Sequence, residues 1–155
     1  MGFEIERKFL IKELPNNLSE YPCLTMTQGY LNTSPVVRVR KEDNSYYLTY
    51  KGSGLLTREE YNLPLDEAAF YHLLEKADGN VISKRRYKIP YLCRNKAYTI
   101  ELDIFDAPFA PLIIAEVEFE NEADANSFNP PNWFDKDVTQ DPQYHNSNLS
   151  KKQFN

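Results

Sequence analysis

In five stretches of this chain charged side chains recur at every second residue, and in four of them they share a sign. "VVRVRK" carries Arg38 and Arg40, "ISKRRYK" carries Lys84, Arg86 and Lys88, "YTIELDIF" carries Glu101 and Asp103, and "AEVEFE" carries Glu116, Glu118 and Glu120. The mixed stretch is "EIERK", where Glu4, Glu6 and Lys8 alternate with Ile5 and Arg7. A period of two places each set on one face of a strand and the intervening, mostly apolar residues on the other. Any one stretch reads as an ordinary half-buried strand with its polar face in water. The five together resist that reading, because a solvated face normally intersperses opposite signs. Like charges two residues apart on a strand lie ~7 Å from each other and repel. The pattern calls for a compensating ligand. It is met by a sheet that closes into a barrel, with the charges lining the bore and helices and loops covering an apolar exterior.

The rest of the sequence supplies the strands for such a sheet. "LTMTQGYL" and "VVRVRKED" are separated by a turn at Thr33-Ser34-Pro35. "SYYLTYKG" puts Tyr47, Thr49 and Lys51 on one face and ends at Gly52-Ser53-Gly54, and "TREEYNLPL" puts Arg58, Glu60 and Asn62 together. One strong helical pattern spans Asp66 to Ala77, with Phe70, Leu73, Leu74 and Ala77 at helical spacing, Asp66 as N-cap and Gly79 as stop. After "LIIAEVEFE" the chain is polar and loop-rich. Short helices are expected near Glu122 to Phe128 and from Asp141-Pro142. Eleven Tyr and nine Phe against five Gly and two Met favour strands over helices. The 155 residues, with no repeat, read as a single mainly β domain spanning 1–155.

Several function classes are disfavoured at this level. A net charge of −5 argues against electrostatic capture of nucleic acid. No apolar run approaches the ~20 residues of a spanning helix. An outer-membrane barrel would call for an export signal and would not carry Arg7 and Arg85 on its outer face. The charged pattern begins at once, without a signal-peptide apolar region, so a cytoplasmic location is expected. Cys23 and Cys93 lie far apart without metal-type spacing and are expected to be free thiols. The oligomeric state is not legible.

Rows of Arg and Lys suit phosphate oxygens. Rows of Glu and Asp are hard oxygen ligands for Mg²⁺ or Mn²⁺. Both in one bore suggest a metal–polyphosphate complex, the combination that phosphoryl transfer uses.

The motifs "EIERKF", "QGYL", "VRVR", "LTYK", "TREEY", "ISKRRY", "ELDIF", "AEVEFE" and "VTQDPQYHNSNL" occur in the order found in the CYTH superfamily, the triphosphate tunnel metalloenzymes. The chain resembles that family over nearly its whole length, and its short bacterial tripolyphosphatase-like members most. The resemblance implies a closed, eight-stranded antiparallel β-barrel with a charged interior, flanked by a few helices (mainly β, formally α+β). It implies metal-dependent hydrolysis of a triphosphate, inorganic tripolyphosphate first. The alternatives are thiamine-triphosphate hydrolysis or adenylate cyclisation on the same fold, or a non-catalytic polyphosphate-binding module. The implied partners are a small-molecule triphosphate and Mg²⁺ or Mn²⁺, with neither nucleic acid nor membrane. Position by position, Glu4, Glu6, Glu116, Glu118 and Asp103 correspond to candidate metal ligands. Lys8, Arg38, Arg40, Lys51, Arg58, Lys84 and Arg86 are the candidate phosphate contacts, and the candidate catalytic set is Lys8, Arg40 and Glu60. Tyr144 and its neighbours match a C-terminal helix against one tunnel mouth. Departures from the family pattern fall at Asn62, often a second Glu, at "DAPFAPLI" before the last strand, and at Gln143, often Arg.

Other signals carry less. "KGSG" lacks the remainder of a phosphate loop and reads as a turn. His72 and His145 are expected on solvated or packing positions of helices. Trp133 is expected to anchor a loop, and Glu120 to sit at a strand exit. Tyr30 is as consistent with packing as with a substrate contact.

Overall fold

A computed structural model describes residues 2–154, so the expected domain of 1–155 reaches one residue beyond the described span at each end. Among the described residues nine strands form one antiparallel sheet: β1 (Gly2–Ile11), β2 (Cys23–Thr33), β3 (Val36–Glu42), β4 (Ser45–Lys51), β5 (Thr57–Leu65), β6 (Asp78–Cys93), β7 (Lys96–Phe105), β8 (Ile113–Glu118) and β9 (Phe134–Asp137). The order is β5-β4-β3-β2-β6-β7-β8-β1-β9, and a further β5–β1 pairing closes the first eight into a barrel. The closing ladder pairs Gly2 with Glu60 and Glu4 with Arg58. Where β5 leaves that edge of β1, β9 takes over, pairing Phe9 with Asp137 and Ile11 with Phe134. The ninth strand therefore covers an edge that would otherwise be open.

Local chemistry sets the turns and helices. Cys93 pairs with Lys96, so β6 and β7 join through the two residues Arg94 and Asn95, with φ of 52° and 65°. Two successive positive φ values are what a tight hairpin needs to match strand twist. Helix α1 (Glu67–Leu74) is capped by the Asp66 side chain, which accepts from the Ala69 N–H. It buries Phe70. It lies so close to β2 that a Cβ on Gly29 would sit 2.8 Å from Ala77 and Leu74 side-chain carbons. The expected C-terminal end of this helix, Glu75 to Ala77, lies outside it, with Glu75 and Lys76 in a turn. Helix α2 (Glu122–Ser127) is capped by Asn121, and α3 (Asn146–Leu149) follows a 3-10 turn at Pro142–Tyr144.

Apolar side chains gather in two places. One cluster lies outside the barrel, where Phe9, Leu102, Val117 and Phe119 pack under Ala125, Phe128 and Phe134 from α2 and the segment around β9. The second contains Tyr30, Val36, Ile82, Phe105 and Ile114, joined by Phe109 and by Leu149 of α3. Those five share the strand faces of Gln28, Arg38, Lys84, Asp103 and Glu116 respectively, since each is two residues away along its strand. The inward face thus changes from charged to apolar, and one end of the barrel is filled. Both cysteines are free thiols. Among the described residues no helix is long and apolar enough to cross a membrane.

Candidate active site

The strand pleat turns one residue in two toward the barrel interior, and there the sorted charges meet. A cavity of about 240 Å³ is walled by Glu4, Glu6 and Lys8 of β1, Arg38 and Arg40 of β3, Lys51 of β4, Arg58 and Glu60 of β5, Arg86 of β6 and Glu116 and Glu118 of β8. Tyr30, Glu42, Tyr47, Thr49, Asn62, Glu101, Asn146 and Ser147 complete much of the lining. Phe3 on the other face of β1 is 71% exposed, whereas Glu4, Glu6 and Lys8 are buried. The alternation therefore points the charges in and this phenyl ring out.

Within the cavity the carboxylates divide into two groups. Glu4, Glu6 and Glu118 each bring an oxygen within 4.8 Å of the others. Lys51 holds Glu4 at 2.8 Å; burial opposes ionisation, but the ammonium charge and hydrogen bond prevail and hold the Glu4 pKa to about 2. Glu6 is buried beside Glu116 and Glu4, and burial together with their charge pushes it up to about 8. Glu118 stands at the rim; partial burial and the charges of Glu4 and Glu101 raise it to about 7. Glu116 behaves differently. It faces Lys8 at 3.5 Å and Arg86 at 3.3 Å, and these cations keep it well below the ordinary range despite burial. Four of the five expected metal positions are thus three converging carboxylates and one carboxylate tied to phosphate-type cations.

Asp103 and Lys84 do not wall the cavity. Both are fully buried, and Lys84 Nζ meets Asp103 Oδ2 at 2.7 Å. Arg86 donates from Nε and Nη2 to the same carboxylate at 2.7 and 2.9 Å. Both Asp103 oxygens are therefore engaged by cations, apart from the cavity that the other four expected metal ligands line. This carboxylate fixes the Arg86 guanidinium instead, and the Lys84 ammonium points at Asp103 and the Phe105 ring rather than at the cavity. Burial lowers the Lys84 pKa to about 8 although Asp103 opposes it.

The remaining cations keep donors for a ligand. Arg40 donates Nε to Gln28 Oε1 at 2.8 Å, and its Nη1 reaches Glu42 at 3.4 Å. Burial, then the proximity of Arg38 and Arg86, lowers Arg40 to about 10. Arg38 is 3% exposed and its Nε has no hydrogen-bond partner. Arg58 donates Nε to the Gly52 carbonyl, and Glu60 lies 3.4 Å from Lys51. A buried pocket with crowded guanidinium groups and an unpaired Nε suits an anion with many acceptor oxygens.

Sequence reasoning placed Glu101 on an acidic row but left it, Glu42, Gln28, Asn146 and Ser147 outside the site. Parity alone locates Glu101, two residues before Asp103, and Glu42, two after Arg40. No local signal locates Asn146 and Ser147, because they reach the cavity only when the C-terminal segment folds back. His145, expected on a solvated position, is buried with Nε2 3.4 Å from the Thr139 carbonyl. His72 and Glu120 are exposed, and Trp133 packs edge-on against Phe134.

A closed barrel with cations and carboxylates sorted around one interior cavity defines a class, and the comparisons name it. The chain belongs to the CYTH domain family, whose model matches residues 2–151. It is 38% identical over 152 residues to an inorganic triphosphatase of Nitrosomonas europaea, covering 95% of this chain and 96% of that protein. It is 36% identical over 162 residues to an inorganic triphosphatase of Acetivibrio thermocellus, covering 99% and 97%. The crystal structure of the inorganic triphosphatase NE1496 superposes with a TM-score of 0.71 at 33% identity, covering 99% of this chain and 97% of that one.

Proposed function

We propose that this chain is a metal-dependent triphosphatase that hydrolyses inorganic tripolyphosphate to pyrophosphate and phosphate, using Mg²⁺ or Mn²⁺. The observation that carries the reading is the meeting, in one cavity, of three converging carboxylates with a separate set of buried cations. The relatives named as inorganic triphosphatases support the choice of substrate.

The donor set fits a hard divalent cation. Glu4, Glu6 and Glu118 offer only oxygen ligands; burial, and then the charge of neighbouring carboxylates, raises Glu6 and Glu118. When bound there, the ion would neutralise charge on the phosphate oxygens. The protein's own groups do the rest. Lys8, Arg38, Arg40, Lys51, Arg58 and Arg86 hold the polyanion extended, and Asp103 with Lys84 keeps the Arg86 fork aligned. Lys8 and Arg40, both buried, face the charge that builds on transferring and leaving oxygens, which fixed donors stabilise. Glu60, whose pKa is raised by burial and by Glu4, is placed to take up a proton from within the cavity.

The test is phosphate release from tripolyphosphate, ATP and thiamine triphosphate, each with Mg²⁺, with Mn²⁺ and with EDTA. Metal-dependent release with tripolyphosphate preferred is the expected outcome. Release from either organic triphosphate at a higher kcat/KM changes the substrate. Tight tripolyphosphate binding without release under any metal makes the chain a binding module.

A further inference from the structure

Two guanidinium groups of the cavity are each held at Nε by the residue directly across the strand pair. Arg86 on β6 is in register with Asp103 on β7 and donates Nε to Oδ1 at 2.7 Å. Arg40 on β3 is in register with Gln28 on β2 and donates Nε to Oε1 at 2.8 Å. The geometry is the same, but one acceptor is a carboxylate and the other a neutral amide. Arg86 also meets Glu101 and Glu116, each at 3.3 Å. Among the described residues the one carboxylate within 4 Å of Arg40 is Glu42, at 3.4 Å and with its side chain 28% exposed. Arg86 is thus embedded in compensating charge, whereas Arg40 keeps most of its own for what enters the cavity.

Gln28 is fully buried and does not line the cavity, so its influence on a ligand passes through Arg40, which does. Both ends of its amide follow from that contact. The Arg40 Nε can only donate, so Oε1 must face it; the reverse orientation would set two donors against each other. Gln28 Nε2 is then turned away and has no hydrogen-bond partner. A buried unpaired donor is destabilising, and its retention calls for a reason. Methionine, of similar length, would remove that donor but leave the Arg40 Nε unpaired. Glutamate would satisfy Nε but oppose the guanidinium charge. Of these three side chains only glutamine fixes the direction of the guanidinium and leaves its charge free.

We propose that Gln28 is a positioning residue: its amide oxygen orients Arg40 toward the cavity and, being neutral, leaves the guanidinium charge for the phosphate groups of a triphosphate. This role rests on the part of the triphosphatase reading that makes Arg40 a phosphate contact.

Gln28→Met and Gln28→Glu are compared with wild type, and Gln28→Met is repeated in an Arg40→Met background. The quantities read are affinity for the imido-bridged analogue of tripolyphosphate, per folded molecule, kcat/KM with tripolyphosphate, and Tm as a check on folding. Gln28→Met is expected to weaken analogue binding about tenfold, the size of one charge-assisted hydrogen bond. In the Arg40→Met background the same substitution should change it by less than about twofold, because the group that Gln28 positions is gone. Gln28→Glu keeps the acceptor and should nevertheless bind the analogue more weakly than Gln28→Met does. The kcat/KM values should fall in the same order.

Wild-type affinity in Gln28→Met overturns the proposal, since Arg40 would then need no holding. Wild-type affinity in Gln28→Glu overturns it too, since the charge of the partner would then be immaterial. Equal losses from Gln28→Met in the two backgrounds show that Gln28 acts through the fold and overturn it as well. Should Gln28→Met fail to fold, the isosteric Gln28→Glu decides alone: weaker binding supports the proposal and wild-type binding ends it. Phosphate release by the wild type tests the triphosphatase reading separately. A wild type that binds the analogue and releases no phosphate removes that reading alone, and one that does neither removes both. An active wild type with unaffected variants removes the role of Gln28 alone.

Discussion

At the scale of single residues, the cavity separates carboxylates that hold the protein from carboxylates that wait for a ligand, although all of them look alike in the sequence. Asp103 is fully buried between Lys84 and Arg86, and its charge is matched at 2.7 Å on both sides. Glu118 stands at the rim among other acids and has a raised pKa. Replacing Asp103 by Asn leaves two buried cations undercompensated, and breaking a buried pair in this way costs about 3–5 kcal/mol. Replacing Glu118 by Gln removes a like charge from a repelling group and leaves the fold intact. Asp103→Asn is therefore expected to lower the urea midpoint sharply. Glu118→Gln should keep the midpoint at or above wild type while abolishing or severely reducing metal-dependent turnover. Equal destabilisation by the two substitutions would show that both carboxylates serve the fold. Strand parity predicted that Glu4, Glu6, Glu116, Glu118 and Asp103 all face inward, and they do. What parity does not encode is depth along the barrel axis, which makes Asp103 an anchor for Arg86 rather than a member of the converging set.

At the scale of elements, the eight barrel strands were legible because most carry polar or charged residues at every second position. β9 was not: "FDKD" is four residues with three charges, and it is a strand only because β5 leaves part of the β1 edge exposed. The starts of α1 and of the 3-10 turn were legible from Asp66 and Asp141, whose side chains do accept from backbone N–H groups; Asn121, not singled out in the sequence, caps α2 in the same way. The docking of the C-terminal segment was not legible beyond the likeness to a known helix at a tunnel mouth, since it depends on contacts between residues ~70 apart. Gly79 is the pivot of that docking. It has a φ of +71°, and a Cβ there would overlap the Ser150 carbonyl oxygen, the acceptor of the Asn80 N–H. Gly79→Ala meets both a left-handed backbone and a backbone collision, so it should destabilise by more than the ~1 kcal/mol of an ordinary Gly/Ala exchange. Amide exchange should quicken first in residues 146–152, before the barrel strands. Uniform loss of protection across the barrel, or none, would mean that the segment and the barrel are not separable in this way.

For the whole molecule, the cavity makes stability depend on pH with an uncommon sign on the alkaline side. Glu4, Glu116 and Asp103 have lowered pKa values, so the stability they contribute is present above the ordinary carboxylate range and is lost as pH falls through their folded values. Glu6 is shifted the other way, to about 8, by burial and by Glu116 and Glu4. The metal-free folded state therefore holds a proton on Glu6 that the unfolded chain has already released. That contribution is complete below about pH 4.5 and is lost as pH rises through about 8, at up to ~1.4 kcal/mol per pH unit. Glu118 adds to the same slope, damped by the water that reaches the rim. The metal-free protein should thus be most stable in mildly acidic solution, with Tm falling by several degrees from there to pH 8. A divalent cation among Glu4, Glu6 and Glu118 replaces the proton, so excess Mg²⁺ should flatten or reverse the fall and raise Tm most at the alkaline end. Melting curves across this range in EDTA and in Mg²⁺, for wild type and Glu6→Gln, measure all of it. Glu6→Gln should fall less steeply in EDTA, keeping only the shallower slope that Glu118 contributes. A wild-type curve in EDTA that rises steadily to pH 8, or one that Mg²⁺ shifts equally at every pH, would mean that Glu6 is ionised throughout and that the acidic cluster is already balanced by the cations around it.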